Sequence, residues 1–262
     1  MFLLIDWGNT WLKYHLVDNL SAFTGDEKAL VSKTVSSPEV LLERIKNYQI
    51  ENITLSNVLV SSVRSSQDNQ QLTQLLEKIG LTPVFAKTER ALGDVQCGYI
   101  DYQLLGIDRW LTIIAASQKD RVIGIIDIGS AITLDIVKSR AHLGGHILPG
   151  ETLLKNSLLK TANVKVGDKT KQALAEFELG RSTKECVDFG VEQMIGGYLI
   201  TSINQANKNY KVKRWVITGG GGEYWSNWLK KFAAKESSFQ IKHKPNLVFQ
   251  GLVIYYTEKS KK

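Results

Sequence analysis

VIGIIDIGSAITLDIV, residues Val122–Val137, is a run of β-branched apolar residues that reaches Asp127, meets Gly129 and Ser130, and resumes as a second apolar run. Val and Ile favour a buried strand and Gly129 permits a tight reversal, so the stretch predicts strand–turn–strand. An aspartate at the inner end of a buried strand is costly unless something charged or polar meets it. The chain opens in the same way: LLIDWGNTWLKYHLV sets Ile5 and Asp6 before Gly8, Asn9 and Thr10. Sliding one stretch onto the other superimposes Ile5 on Ile126, Asp6 on Asp127 and Gly8 on Gly129. One such hairpin is an ordinary turn. Two of them, each opening about half of the chain, imply a duplicated domain with a site between the halves.

The chain has 262 residues, 43% of them hydrophobic, enough for one large core or two small ones. No run approaches the roughly 18 apolar residues of a membrane helix, and Asp6 cuts off Met1–Ile5 too soon for a signal peptide. Cys97 and Cys186 are the only cysteines and have no CxxC spacing, which predicts a reduced, cytoplasmic protein without disulfides or structural zinc. The net charge of +7 arises from 33 basic and 26 acidic residues. The lysines are dispersed and no nucleic-acid module accompanies them. We therefore expect no nucleic-acid and no membrane partner; a basic bias also suits an enzyme of anionic small molecules.

After the first hairpin, residues 29–35 offer a third strand, and Pro38 opens a helical stretch with Val40, Leu41, Ile45 and Tyr48 near helical spacing. Asn57–Val63 reads as a strand, Gln70–Ile79 as a helix stopped by Gly80, and Thr82–Phe85 as a short strand. This βββαβα order is that of a ribonuclease-H-like half. Thr88–Asp101 has little periodicity and reads as a loop; a helix follows from Gly106. Beyond the second hairpin, Ala141–Leu148 predicts a strand, Thr152–Thr161 and Thr183–Asn207 helices, and Trp215–Thr218 a strand running into four glycines. Tyr224–Ala234 and Leu247–Glu258 read as helices. No linker rich in Pro, Gly or Ser intervenes. The expected fold is α/β, with two ribonuclease-H-like (actin-like ATPase) halves, 1–119 and 120–262, each a mixed sheet with flanking helices, and a cleft between them.

Asp6-x-Gly8-Asn9-Thr10 offers an acid, the N–H groups of a tight turn and two small hydrogen-bonding side chains, a combination that suits phosphate oxygens. Lys13 follows on the returning strand; a surface hairpin with a solvated lysine is the simpler alternative. Asp127-x-Gly129-Ser130 repeats the acid and adds a hydroxyl. Gly219–Gly222 after a strand suits backbone pressed against a ligand, or merely a flexible connection. Asp108 and Arg109 stand side by side at a helix start, either as a cap or as a general base beside an anion-binding arginine. His142 and His146 are four apart but strand-like, which argues against a metal pair.

Together these residues resemble the type III pantothenate kinases of the acetate and sugar kinase/Hsp70/actin superfamily. The resemblance is carried by Asp6-x-Gly8-Asn9-Thr10-x-x-Lys13, Leu105-Gly106-x-Asp108-Arg109-Trp110, Asp127-x-Gly129-Ser130-Ala131-x-Thr133-x-Asp135 and Gly144-Gly145-x-Ile147-x-Pro149-Gly150. Weaker support comes from Gly180-x-Ser182-Thr183 and Gln250-Gly251-Leu252. Ser130 replaces the usual Thr, and Tyr102 stands where the family tends to have Pro. The resemblance implies that Asp6, Gly8, Asn9, Thr10, Lys13 and Ser130 bind ATP, with Mg²⁺. It implies that Tyr99, Gly106, Ile107, Asp108, Arg109 and Thr183 hold pantothenate, with Thr183 supplied by the other subunit of a homodimer. Asp108 would be the general base and Asp127 would bind a monovalent cation, K⁺ or NH₄⁺. The implied reaction is phosphorylation of pantothenate to 4′-phosphopantothenate, the first step towards coenzyme A. The alternatives are a kinase of the same superfamily with another substrate, or an ATP-dependent regulatory clamp; a clamp needs the phosphate loops but no Asp108.

Overall fold

The computed structural model describes residues 1–20, 23, 31–50, 55–119, 121–161, 178–233 and 239–261. They form two compact units. Unit 1 comprises 1–119, 139–143 and 246–262, and unit 2 comprises 120–138 and 144–245. The division expected from sequence at 119/120 thus meets two segments, 139–143 and 246–262, that cluster with the first unit.

In unit 1, β1 (Phe2–Trp7), β2 (Leu12–Val17), β3 (Val31–Val35), β4 (Asn57–Ser62) and β5 (Pro83–Phe85) form a sheet ordered β3-β2-β1-β4-β5. Residues 29 and 30 of the expected third strand lie outside the described residues. β1 pairs antiparallel with β2 and parallel with β4, which makes the sheet mixed. Strand alternation sorts the side chains. Leu3, Ile5 and Trp7 pack with Leu41 and Ile45 of α1 (Pro38–Ile50) and with Leu72 and Leu76 of α2 (Ser66–Glu77). Leu4 and Asp6 therefore point to the other face, which α3 (Ile107–Ala116) and the C-terminal helix Leu247–Lys259 cover. His15, opposite Leu4 in β2, stacks on Phe249 of that helix with ring centroids 3.9 Å apart.

Two expectations shift. The helix read from Gln70 begins at Ser66, because Ser65 and Asp68 form a reciprocal capping box. The expected loop 88–101 contains a small hairpin, β6 (Ala91–Leu92) and β7 (Val95–Gln96), too short to show a period of two. The residues after it turn once as a 3₁₀ helix, Tyr102–Leu104, capped by the Asp101 side chain.

Unit 2 repeats the plan with β8 (Val122–Ile128), β9 (Ala131–Lys138), residues 144–149 of β10 (Ala141–Pro149), β11 (Arg214–Thr218) and β12 (Gln240–His243), in the order β12-β11-β8-β9-β10. β12 was not expected; the four residues Gln-Ile-Lys-His, with one apolar side chain among them, carry no strand signal. Ile126, Ile128, Ile132 and Leu134 pack against α5 (Thr183–Tyr210) and α6 (Gly222–Ala233), while α4 (Glu151–Thr161) lies against α5. Within α5 the stripe Val191, Ile195, Leu199 and Ile203 is buried in this unit's own core, whereas Met194 beside it is half-exposed. The C-terminal helix, α7, is buried on most sides. A Cβ on Gly251 would lie 2.0 Å from the Leu111 carbonyl oxygen, so α3 and α7 cross at backbone contact and only glycine fits there.

Candidate active site

Asp6 is the centre of the site in unit 1. It ends β1 on the face that α3 covers, and the register sets Lys13 of β2 and Ser61 of β4 on either side of it. The Ser61 hydroxyl, fully buried, donates to Asp6 Oδ1 at 3.2 Å. Burial pushes the Asp6 carboxyl up from 3.8 to about 6, against the pull of Lys13 and Ser61 and with a further push from the charge of Asp108. Two carboxylates far apart in the sequence, Asp6 and Asp108, thus share one electrostatic environment beside one lysine. The turn between them and Lys13 is closed by Gly8 N–H donating to the Trp11 carbonyl at 3.0 Å. Asn9 and Thr10 are exposed at its tip, and Arg64 fixes it by donating to the Asn9 carbonyl at 3.1 Å.

Sign and size can be tested. A carboxyl that holds its proton more tightly when folded stabilises fully below its unfolded value of 3.8, and that contribution is lost as pH rises through about 6. Ionised Asp6 therefore costs the ligand-free protein stability at neutral pH. Asp6→Asn should raise Tm by a few degrees at about pH 7.5, equivalent to roughly 1–2 kcal/mol after allowing for partial exposure, and should change it little at about pH 4. An equal Tm change at both values would mean that Asp6 is not strained by its charge.

Gly106 caps α3 without a side chain, and Asp108 sits in the first turn, where a carboxylate suits the helix dipole. Its Oδ1 accepts the Arg109 N–H at 2.7 Å. A Cβ on Gly106 would fall 2.7 Å from the same oxygen, so the glycine makes room for the carboxylate to fold back over the helix end. The capping role is thus real, and it leaves the carboxylate in reach of Asp6's environment. Arg109 is only 5% exposed and donates to the Tyr99 hydroxyl at 2.6 Å. Gly106 and Ile107 also line an open cavity of about 920 Å³ together with Arg64, Lys87, Arg90, Lys259 and Tyr102. Its only acidic lining residue, Glu89, is paired with Lys259 at 2.7 Å, so the cavity is net basic.

Unit 2 assembles the second group. Thr218 of β11 and Thr133 of β9 flank Asp127 in register. Gly219, at φ +87°, brings its backbone so close that a Cβ would lie 2.4 Å from Asp127 Oδ1 and 2.4 Å from the Ile128 carbonyl oxygen. Gly221 donates its N–H to that carbonyl at 2.9 Å, and Gly150 donates to the Ser130 carbonyl at 3.0 Å. The glycines after β11 and β10 therefore close around the Asp127–Ser130 turn. Asp135, 1% exposed, shares the Asp127 side of the sheet by strand alternation, a buried carboxylate that closes the third motif but has no role assigned from the sequence. Thr183 opens α5, on a different element from these, with Ser182 as its N-cap. Ser61 was also missed; only the β1–β4 register makes it visible. His142 and His146 engage separate partners, Gly98 N–H and the Tyr198 hydroxyl, and the described residues contain no cluster of three metal ligands.

A family model described as type III pantothenate kinase matches residues 2–205. Proteins named type III pantothenate kinase include one from Acinetobacter baylyi, 32% identical over 254 residues, covering 97% of this chain and 96% of its own. Another, from Pseudomonas syringae pv. syringae, is 35% identical over 229 residues, covering 85% and 88%. Among solved structures, the ethanolamine utilization protein EutJ from Carboxydothermus hydrogenoformans superimposes with a TM-score of 0.55 at 13% identity, over 97% of this chain and 89% of that one. A ROK family protein from Streptococcus pneumoniae gives 0.50 at 12% identity, over 100% and 99%. At such identities the two structures attest the fold alone. The paired Asp-x-Gly turns, the Asp108–Arg109 helix start and the match over residues 2–205 agree: the chain belongs to the type III pantothenate kinase family.

Proposed function

We propose that this chain phosphorylates pantothenate at its primary hydroxyl with ATP, giving 4′-phosphopantothenate and ADP, and that Asp108 is the general base. The observation that carries the assignment of the base is geometric: α3, with Asp108 in its first turn, packs against β4 beside Asp6 of the phosphate-type turn, and the charge of Asp108 adds to the upward push on the Asp6 carboxyl. Phosphoryl transfer rests mainly on positioning and charge neutralisation, because the transferred group supplies the reactivity. The Asp6–Lys13 turn presents N–H groups and an ammonium to the phosphates, with Gly8, Asn9 and Thr10 at the contact, and Ser130 of the second turn adds a hydroxyl. Arg109 and Tyr99 bind and orient the pantothenate carboxylate end, supported by Gly106 and Ile107 beside the basic cavity. Asp108 takes the hydroxyl proton as the oxygen attacks the γ-phosphorus. Mg²⁺ fits Asp6, a carboxylate whose burial and acidic neighbour both favour a cation beside it; when bound it would neutralise charge on the phosphates. A monovalent cation fits Asp127, where a carboxylate, flanking threonines and a closely pressed glycine backbone gather oxygen donors.

ADP release measured with and without pantothenate tests this reading. Turnover should need pantothenate and should be several-fold higher in potassium or ammonium than in sodium. Release of ADP at one rate regardless of pantothenate would overturn the substrate. Equal rates in all three salts would remove Asp127 from cation binding.

The proposal extends to a cytoplasmic homodimer. No described helix is long and apolar enough to cross a membrane. Ile147 of β10, Leu153 and Leu158 of α4 and Met194 of α5 are each more than half exposed. These elements are tied together by His146–Tyr198 and by Lys155–Asp188 at 2.9 Å, an apolar surface of the kind that partners cover. If Thr183 serves the partner's site, co-expressed Asp108→Asn and Thr183→Arg chains should recover about a quarter of wild-type activity, since half of randomly paired dimers are mixed and each has one intact site. No recovery, or a monomer by light scattering, would rule out the shared site.

A further inference from the structure

Tyr99 follows the small hairpin β6–β7 after two intervening residues, a poor anchor for a ring that has to stay still. Two contacts outside the assigned residues hold it. On one side Arg90 donates to the Tyr99 carbonyl at 3.0 Å and to the Ile100 carbonyl at 2.9 Å, with its guanidinium 5.3 Å over the Tyr102 ring. Tyr102, this chain's departure from the family's usual Pro, thereby becomes part of the brace. On the other side is His142, only 3% exposed at the start of β10. Its ring is stacked on the Tyr99 ring, 20° from parallel at 6.0 Å between centroids. Gly98 donates its N–H to His142 Nδ1 at 3.4 Å, and a Cβ on Gly98 would sit 2.0 Å from the His142 carbonyl oxygen. The backbone before Tyr99 is thus pressed onto His142 as closely as glycine allows.

The contact continues towards the substrate. The Tyr99 hydroxyl takes its 2.6 Å hydrogen bond from Arg109 Nη1, and the Arg109 N–H in turn meets Asp108 Oδ1 at 2.7 Å. A guanidinium that donates to a phenol oxygen is only as well placed as the phenol. A tyrosine ring with two free torsions is placed by what lies against its faces. We propose that His142 is a positioning residue for pantothenate, fixing the plane of Tyr99 and through it the guanidinium of Arg109. The inference rests on the reading that Tyr99 and Arg109 hold pantothenate. It also gives His142 a role that the spacing to His146 does not suggest: an aromatic wall with an acceptor at Nδ1, its ring proton then on Nε2.

The test is steady-state kinetics of His142→Ala, His142→Phe and His142→Asn, alone and combined with Tyr99→Ala. His142→Ala should raise KM for pantothenate about tenfold, within the coupling expected of residues in contact, with kcat and KM for ATP within about threefold. His142→Phe keeps the wall and should restore most of the affinity, whereas His142→Asn keeps only the acceptor and should not. In the Tyr99→Ala background, His142→Ala should add less than about twofold, because the ring it positions is gone. A general packing role would instead move both KM values and multiply through unchanged in that background; that result, or no change in His142→Ala, overturns the inference. If His142→Ala does not fold, the Phe and Asn variants decide: equal KM values for the two would overturn it. If Tyr99→Ala itself leaves KM for pantothenate unaltered, the assignment of Tyr99 to the substrate fails first, and the positioning role falls with it.

Discussion

Asp108→Asn should lower kcat by about 10²–10⁴-fold, the usual worth of a general base, while ATP binding stays within a few-fold of wild type. The substitution separates the two roles that the structure gives this residue. As a cap, Asp108 uses one oxygen to accept the Arg109 N–H, and the Asn amide oxygen accepts it equally well. What Asn loses is the charge at the helix start, about 1 kcal/mol or less, and its basicity. Tm should therefore hardly move while turnover collapses. An Asn variant within threefold of wild type in kcat would reduce Asp108 to its cap.

The second large effect is expected at Gly219. Its φ of +87° already strains any side chain, and a Cβ there would meet Asp127 Oδ1 and the Ile128 carbonyl oxygen at 2.4 Å. Neither can retreat cheaply, since the Ile128 carbonyl accepts from Gly221 and Asp127 lies between two strands. Gly219→Ala should cost on the order of 2–4 kcal/mol and remove the potassium response along with most of the activity. Gly220→Ala is the control: nothing lies within 4 Å of its added Cβ, so it should behave as wild type. Wild-type activity and potassium response in Gly219→Ala would disconnect this turn from the chemistry.

How much of this was legible in the sequence depended on whether neighbours in space were also neighbours along the chain. The Asp6 and Asp127 turns were legible because acid, glycine and flanking strands lie within a dozen residues. The Asp108 helix start was legible for the same reason, although its cap and its chemistry look alike until Asp6 is seen beside it. Ser61, 55 residues from Asp6, enters only through the parallel register of β1 and β4. His142 and Arg90 meet Tyr99 through a hairpin whose strands are two residues each, below any periodic signal. The apolar stripe of α5 was legible as a stripe but not in its destination. Val191, Ile195 and Leu199 go to the core with Trp228, whose ring lies where a Cβ on Gly196 would be, and Met194 stays at the surface. Helical spacing gives a face; it does not say what covers it.

The most direct test of the central claim follows the transferred group itself. Purified protein is given γ-labelled ATP, Mg²⁺, potassium and pantothenate, and the label is traced. The account predicts that it moves to 4′-phosphopantothenate in step with ADP, that omitting pantothenate stops it, and that Asp108→Asn binds ATP but transfers about 10²-fold less or slower still. Label released as inorganic phosphate at the same rate without pantothenate, or transfer undiminished in Asp108→Asn, would contradict it.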